Sequence, residues 1–211
     1  MPITQVYSWS GTWSSTPELR SAGIEITRNH HSISISQKLY IESILRREGM
    51  KRVNPVSMPL DSNSILDRIP MAARGITSNS YARLLGELQF LASATRLDNS
   101  YTDNRLASYT ANPSLENVGA SKRIKCYLSL AGTRTHAITY NDSHSHTNSF
   151  REYANAAYAN ADDCKSTPGH VFLAGGGAIT WRPKKQTTVA LSSNGSRVRG
   201  KVLQWLRAFY V

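Results

Sequence analysis

Acidic side chains are scarce in this sequence. Its 211 residues contain 14 Asp and Glu against 25 Lys and Arg, which gives a formal net charge of +11. No Asp or Glu follows Asp163, whereas eight Lys and Arg do. Such an excess of cations favours a polyanionic partner, because each phosphate that Lys or Arg neutralises releases condensed counterions. A basic surface without a ligand is an equally simple explanation, since composition alone identifies no partner.

Cysteine is rare as well, and long apolar runs are missing. Cys126 and Cys164 are far apart in a sequence without a basic and apolar leader, so we expect reduced thiols. No stretch approaches the ~20 apolar residues that cross a bilayer. Residues 1–17, rich in Ser, Thr and Trp, predict a disordered lead-in. We therefore expect a cytoplasmic or nuclear protein that is neither secreted nor bound to a membrane.

The apolar residues that are present change from an alternating to a helical spacing along the chain. "GIEITR" and "SISISQ" alternate apolar and polar residues around Asn29, His30 and His31, which predicts a β-hairpin. "SQKLYIESILRREGM" then predicts a helix, with Ser36 as a candidate cap and Gly49 near its end.

The rest of the pattern predicts a helical block followed by strands. After a connector with several prolines at residues 51–79, three helices are predicted at "SYARLLGELQFLASATR", "NSYTDNRLASYTA" and "NPSLENVGASKRIKCYLSLAG", the last ending at Gly132. Strands are predicted at "HAITY", "SFREYANAAYA", "GHVFLA", "AITW" and "TTVALSS". An amphipathic, basic helix is predicted at "GSRVRGKVLQWLRAFYV". The fold class predicted is α+β.

Six phrases of the sequence resemble, in the correct order, successive landmarks of the Pol polyprotein of copia-type retrotransposons. They are "ELRSAGIEITR", "ISISQKLYIESILRREGM", "NPVSMPLD", "YARLLGELQFLASATRLD", "NPSLENVGASKRIKCYL" and "DDCKSTPGHVFLAGGGAITWRPKKQTTVALSS". The resemblance covers about residues 18–210. It implies that residues 18–140 are the C-terminal remnant of a reverse transcriptase, its thumb and connection. It also implies that residues 148–211 begin a truncated RNase H-like domain with a mixed sheet and one C-terminal helix.

The catalytic acids of that family are missing at the matching positions. The polymerase Y-x-D-D motif has no counterpart here, and Asn155 and Ala157 stand where the first RNase H strand reads Y-x-D-A-D. Gly195 stands at the position of the catalytic glutamate. The parent family uses Mg²⁺, and a two-metal mechanism requires several converging carboxylates. We therefore expect no catalytic residue, no metal site and no cofactor, so that the chain is not an enzyme but a pseudoenzyme remnant.

Neighbouring acids do not replace the missing ones. Asp162 and Asp163 match the family's D-D-x-K-S turn, where capping or pairing with Lys165 is the simpler role. Side chains alternate across a strand, so Glu152 is predicted on the face opposite Asn155.

Two groups of cations are candidate contacts for RNA or DNA phosphates. They comprise Lys122, Arg123, Lys125, Arg182, Lys184 and Lys185. Two hypotheses follow. The chain is a catalytically inactive fragment of a copia-type reverse transcriptase/RNase H polyprotein with at most weak, non-specific binding of nucleic acid. Alternatively, it is a domesticated interaction protein that binds retroelement proteins or nucleic acid and interferes with them.

Overall fold

The computed structural model describes residues 19–50, 53–61, 66, 78–141, 150–157, 164–189 and 192. Within these residues there are seven strands, which form two antiparallel sheets, and five helices, four of which contribute side chains to one apolar core. The predicted α+β class is confirmed. None of the helices in the described ranges is long and apolar enough to span a membrane.

The first sheet combines the predicted hairpin with a strand from beyond the helical block. Its strands lie in the order β1 (Leu19–Ser21), β2 (Ile24–Arg28), β3 (Ser32–Ser36) and β4 (Ala137–Asn141). The hairpin of β2 and β3 is confirmed, with Glu25 opposite Ser36. β4 pairs with β3 about a hundred residues later, placing Ile138 opposite Ile35. The cross-strand bond between the Ser34 and Thr139 hydroxyls, 2.9 Å long, joins the same two strands.

Helix α1 (Lys38–Arg47) begins differently from the prediction, because a carboxylate of the neighbouring strand caps it. Gln37 is the N-cap residue, and its side chain makes no capping bond. Glu25 on β2 instead accepts the backbone N–H of Leu39 at 2.8 Å and the hydroxyl of Ser36 at 3.1 Å. The prediction of Ser36 as the cap is therefore wrong. Gly49 ends the helix as predicted, with φ at +68°.

Three longer helices and one short helix form the centre of the molecule. They are α2 (Ser78–Ala94), α3 (Ser100–Ala107), α4 (Leu115–Ser129) and α5 (Ala131–Arg134), and a 3-10 turn at Leu97–Asn99 precedes α3. The core buries aliphatic side chains at helical spacing, among them Leu85, Leu88, Leu91, Leu106, Ile124 and Leu128. Ser114 caps α4 by accepting the backbone N–H of Asn117.

The predicted end of the last helix at Gly132 is wrong. α4 stops at Ser129, because Leu130 adopts an extended conformation with ψ at 128°. Thr133 then turns its hydroxyl back to the carbonyls of Tyr127 and Leu130, at 2.5 and 3.0 Å. These bonds satisfy backbone carbonyls that have no partner within α4. Gly132 lies inside the short helix α5 and does not end α4.

The second sheet consists of β5 (Arg151–Ala157), β6 (Thr167–Ala174) and β7 (Gly177–Pro183), in that order. All its pairings in the described residues are antiparallel, whereas a mixed sheet was expected. A tight turn at Gly175 and Gly176, both with positive φ, joins β6 to β7, and strands joined so closely are necessarily antiparallel.

The strand predicted at "TTVALSS" does not form at Thr187–Val189 or Ser192. The backbone N–H groups of Lys184 and Gln186 bond the carbonyls of Pro168 and Ser166, both at 2.9 Å, and the chain then bends. The predicted C-terminal helix, Gly195, Asp162 and Asp163 lie outside the described residues, as does the lead-in 1–17.

The second sheet is fixed to the first sheet and to the helical core by three bonds to backbone carbonyls. Asn141 N–H donates to Gly175 at 2.7 Å, and the Tyr140 hydroxyl donates to Ala178 at 2.6 Å. The indole N–H of Trp181 donates to Ala92 of α2, also at 2.6 Å. The segments predicted at 18–140 and 148–211 therefore contact each other and are not separate in the structure.

Candidate functional site

Strand β5 carries the position at which the sequence predicted a lost acid. Asn155 lies opposite Gly169 in the sheet and is exposed to solvent. Its amide oxygen accepts the backbone N–H of Ala156 at 2.9 Å, so this oxygen is engaged by the strand itself. Tyr153, two residues earlier on the same face, is 55% exposed. At β5, the face on which the family's acids would stand is therefore exposed and carries a neutral amide. On the same face of the sheet, Trp181 of β7 contacts α2.

The one acid of this strand lies on the other face. Glu152 is opposite Phe172, and the register places it on the same side as His170 and Arg182. Burial lowers the pKa of His170 and Arg182 lowers it further, while the carboxylate of Glu152 raises it. Glu152 thus interacts with a histidine on the face away from Asn155, as the strand alternation predicts.

The described part of the chain contains no group of three or more His, Cys, Asp or Glu side chains able to hold a metal ion. Mg²⁺ takes oxygen ligands in near-octahedral geometry and relies on carboxylates for charge compensation. In the interior of β5, the face that carries Asn155 offers this amide and the phenol of Tyr153, and no carboxylate.

The first group of predicted phosphate contacts lies on α4, and one member has a different role. Lys125 is only 3% exposed, and its ammonium group donates to Glu48 at 2.6 Å. This hydrogen bond and charge outweigh the effect of burial and hold the pKa of Glu48 below its ordinary value. Lys125 is therefore corrected from a surface contact to a structural ion pair that joins α4 to the end of α1. Its position beside buried Ile124 and three residues before Leu128 was the signal for burial.

The neighbouring cations of α4 remain at the surface. Lys122 is exposed, and Arg123 is half-buried with its guanidinium 3.9 Å from the carboxylate of Asp61. Only Lys122 of the three thus presents an exposed charge.

The second group of cations lies at the end of β7 and in the loop that follows. Arg182 and Lys184 are exposed, and Lys185 is half-buried. We call these three residues the β7 basic group. Trp181, which the sequence places beside them, points to the opposite face and bonds α2. Lys122 does not belong to this group, because it lies on α4. Helix α3 contacts both α4 and β7.

A buried ion cluster was not predicted from the sequence. Arg96 is 1% exposed and holds both carboxylate oxygens of Asp98, at 3.0 and 2.7 Å. It also donates to the carbonyl of Thr133 at 2.6 Å, and Tyr127 donates its hydroxyl to Asp98 at 2.8 Å. Burial raises the pKa of Asp98, but the bonds to Arg96 and Tyr127 lower it more. The cluster is structural, because it ties the turn before α3 to α4 and α5.

Comparison with known proteins identifies the origin of the chain. It is 34% identical over 190 residues to the retrovirus-related Pol polyprotein from transposon RE1 of Arabidopsis thaliana, which covers 87% of this chain and 13% of that protein. It is 30% identical over 206 residues to the Pol polyprotein from transposon TNT 1-94 of Nicotiana tabacum, with 92% and 15% covered. An uncharacterized mitochondrial protein of Arabidopsis thaliana is 29% identical over 182 residues, and the chain covers 73% of it.

No family model matches the chain, and no solved structure matches it. The chain spans only 13% to 15% of the length of the two Pol polyproteins. Because the similarity extends over almost the whole chain, the chain belongs to the family of Pol polyproteins of copia-type retrotransposons.

Proposed function

We propose that this chain is a catalytically inactive segment of a copia-type Pol polyprotein whose remaining property is weak, sequence-independent binding of nucleic acid. The observation that carries the first half is Asn155. It occupies a family carboxylate position on β5, and its amide oxygen already accepts a backbone N–H. A neutral oxygen engaged in this way is a poor ligand for a divalent cation.

The residues present do not fit the pair of Mg²⁺ ions of the parent family. Two dications require several converging carboxylates, and the matching positions on β5 hold an amide and a methyl group, at Asn155 and Ala157. Glu152 lies on the other face of the sheet. These residues therefore support no metal-dependent hydrolysis. Cleavage of an RNA/DNA hybrid with Mg²⁺ or Mn²⁺ tests this half of the proposal.

The second half depends on exposed charge. Arg182, Lys184 and Lys122 are exposed cations in a chain with a net charge of +11. Cations of this kind contact phosphates through counterion release, which gives binding without sequence preference and with strong dependence on salt. No specific base-reading geometry is required for such binding.

Salt dependence tests the binding. We expect an RNA/DNA hybrid to bind weakly. The slope of the logarithm of the binding constant against the logarithm of salt concentration should become shallower by about 1 for each phosphate contact removed. The double variant Arg182→Ala/Lys184→Ala should therefore reduce the slope by about 2. Fluorescence anisotropy between about 50 and 200 mM salt measures it.

The control is Lys38→Ala/Arg46→Ala, which removes the same charge from two exposed residues of α1. It should leave the slope of the binding curve nearly unchanged. An equal reduction of the salt slope in both double variants would show that only net charge matters. It would remove the β7 basic group from the proposal.

A further inference from the structure

Helix α3 contains a buried carboxyl group that makes no hydrogen bond within the described part of the chain. Asp103 is 1% exposed, and neither of its carboxylate oxygens accepts a hydrogen bond from any described residue. Asn99, one helical turn earlier on the same side, is 0% exposed, and both its amide atoms are likewise without a partner in the described residues. Buried polar groups are usually hydrogen-bonded, so two unsatisfied neighbours call for a physical explanation.

Among the described residues, the cations nearest in the fold are committed to other partners than Asp103. Arg96 is committed to Asp98 and to the Thr133 carbonyl, and Lys125 from α4 is committed to Glu48. Arg105 on α3 bonds Tyr101 and Tyr109. On β7, which contacts α3, Trp181 donates to the carbonyl of Ala92 on α2. Arg182, the next residue, points to the other face of the sheet.

The remaining ionisable neighbours favour the neutral acid. Tyr81 from α2 donates its hydroxyl to the carbonyl of Leu106 at 3.1 Å. Burial raises the pKa of Asp103 to about 8, and the negative charge of Asp98 adds to this rise. Burial and the charge of Asp103 also raise the pKa of Tyr81, so the tyrosine stays neutral. The packed structure therefore holds Asp103 in its protonated form at neutral pH.

We propose that Asp103 is a proton-sensitive switch: protonated, it allows α3 to pack against α2, α4 and β7, and ionised, it loosens this packing. Ionisation would place an unpaired charge in the apolar centre. Because β7 packs on α3, the loosening would reach the second sheet, which carries the β7 basic group.

The direction of the effect follows from proton linkage. The pKa of Asp103 is raised by folding, so the stabilisation from its proton is complete below the ordinary Asp pKa near 3.8 and is lost as pH rises towards about 8. Asp98 and Glu48 have lowered pKa values, so their stabilisation is present above their ordinary pKa and is lost in acid. Between pH 5 and 8 the contribution of Asp103 is therefore the one that falls.

The test compares urea unfolding of the wild type and Asp103→Asn at pH 5, 6, 7 and 8. Relative to the variant, the unfolding equilibrium constant of the wild type should rise about tenfold per pH unit, approaching a hundredfold from pH 5 to pH 7. The comparison cancels His170 and the other titrating groups, which both proteins share. Asp61→Asn is the matched control. It alters an acid whose side chain is 49% exposed, and it should keep the wild-type slope.

A second readout uses the wild type alone, in case the variant does not fold. Infrared spectroscopy of the folded protein at pH 6 to 7 should show the carbonyl band of a protonated carboxylic acid, and this band should disappear as the pH rises through about 8. A wild type without the band in this range, or a pH slope that Asp103→Asn leaves intact, would overturn the proposal.

Discussion

Two lysines three residues apart on α4 have different roles. Lys122 is exposed to solvent, whereas Lys125 is buried and bonded to Glu48. The sequence predicts both as basic surface residues, because composition gives the number of charges and not the direction in which each side chain points. The helical period separates them, since Lys125 lies four residues after buried Ser121 and next to Ile124. The same limit applies to Asp103, which lies on a helix that α2, α4 and β7 contact.

Lys125→Ala tests the structural role. Removing the ammonium group leaves Glu48 partly buried without its closest partner, so we expect a loss of about 1–3 kcal/mol in the free energy of unfolding. Because Glu48 is 27% exposed and Arg83 lies 3.6 Å away, the loss should fall below that of a fully buried pair. Chemical denaturation at neutral pH measures it.

Lys122→Ala on the same helix is the control and should change stability by less than about 0.5 kcal/mol. Equal effects of the two substitutions would contradict the assignment of Lys125 as a structural residue and of Lys122 as a surface residue.

At the scale of elements, local patterns were predictable and long-range pairings were not. The β2–β3 hairpin and helices α1 to α4 follow from apolar spacing that each segment contains within itself. The pairing of β4 with β3 and the capping of α1 by Glu25 join residues that are distant in sequence or lie on different elements. Periodicity cannot predict such partners. The sequence pattern therefore points to Ser36 as the cap, because it is the nearest residue of the right type.

The turn between β1 and β2 offers a prediction at this scale. Ala22 and Gly23 form a two-residue turn with φ at +49° and +78°, the left-handed conformation that Asn-Gly sequences favour. Ala22 is strained there because its Cβ crowds the backbone. Ala22→Asn should raise the free energy of unfolding by on the order of 1 kcal/mol, measured by urea denaturation.

Gly23→Ala provides the opposite sign, since it introduces a Cβ at positive φ about 3.4 Å from the Tyr40 ring. A stabilised Gly23→Ala or a destabilised Ala22→Asn would contradict the turn geometry.

At the scale of the whole molecule, the structure joins two segments that the family resemblance divides. Tyr140, Asn141 and Trp181 donate hydrogen bonds to backbone carbonyls across the junction. Their identity was visible in the sequence, but their partners were not, because carbonyl acceptors have no sequence signature. The position of Asn155 was predictable from the phrase around it, and the structure adds that its oxygen is engaged and that Glu152 lies on the other face.

The proposed lack of catalysis is tested most directly by incubating a labelled RNA/DNA hybrid with the purified full chain, with Mg²⁺ and separately with Mn²⁺. We predict no cleavage above that of the Asp162→Ala variant, which probes whether Asp162 supplies a catalytic acid. Because Asn155 and Ala157 provide no carboxylate, two metal ions would lack the ligands that hold them. Metal-dependent cleavage by the wild type that Asp162→Ala abolishes would contradict the central claim.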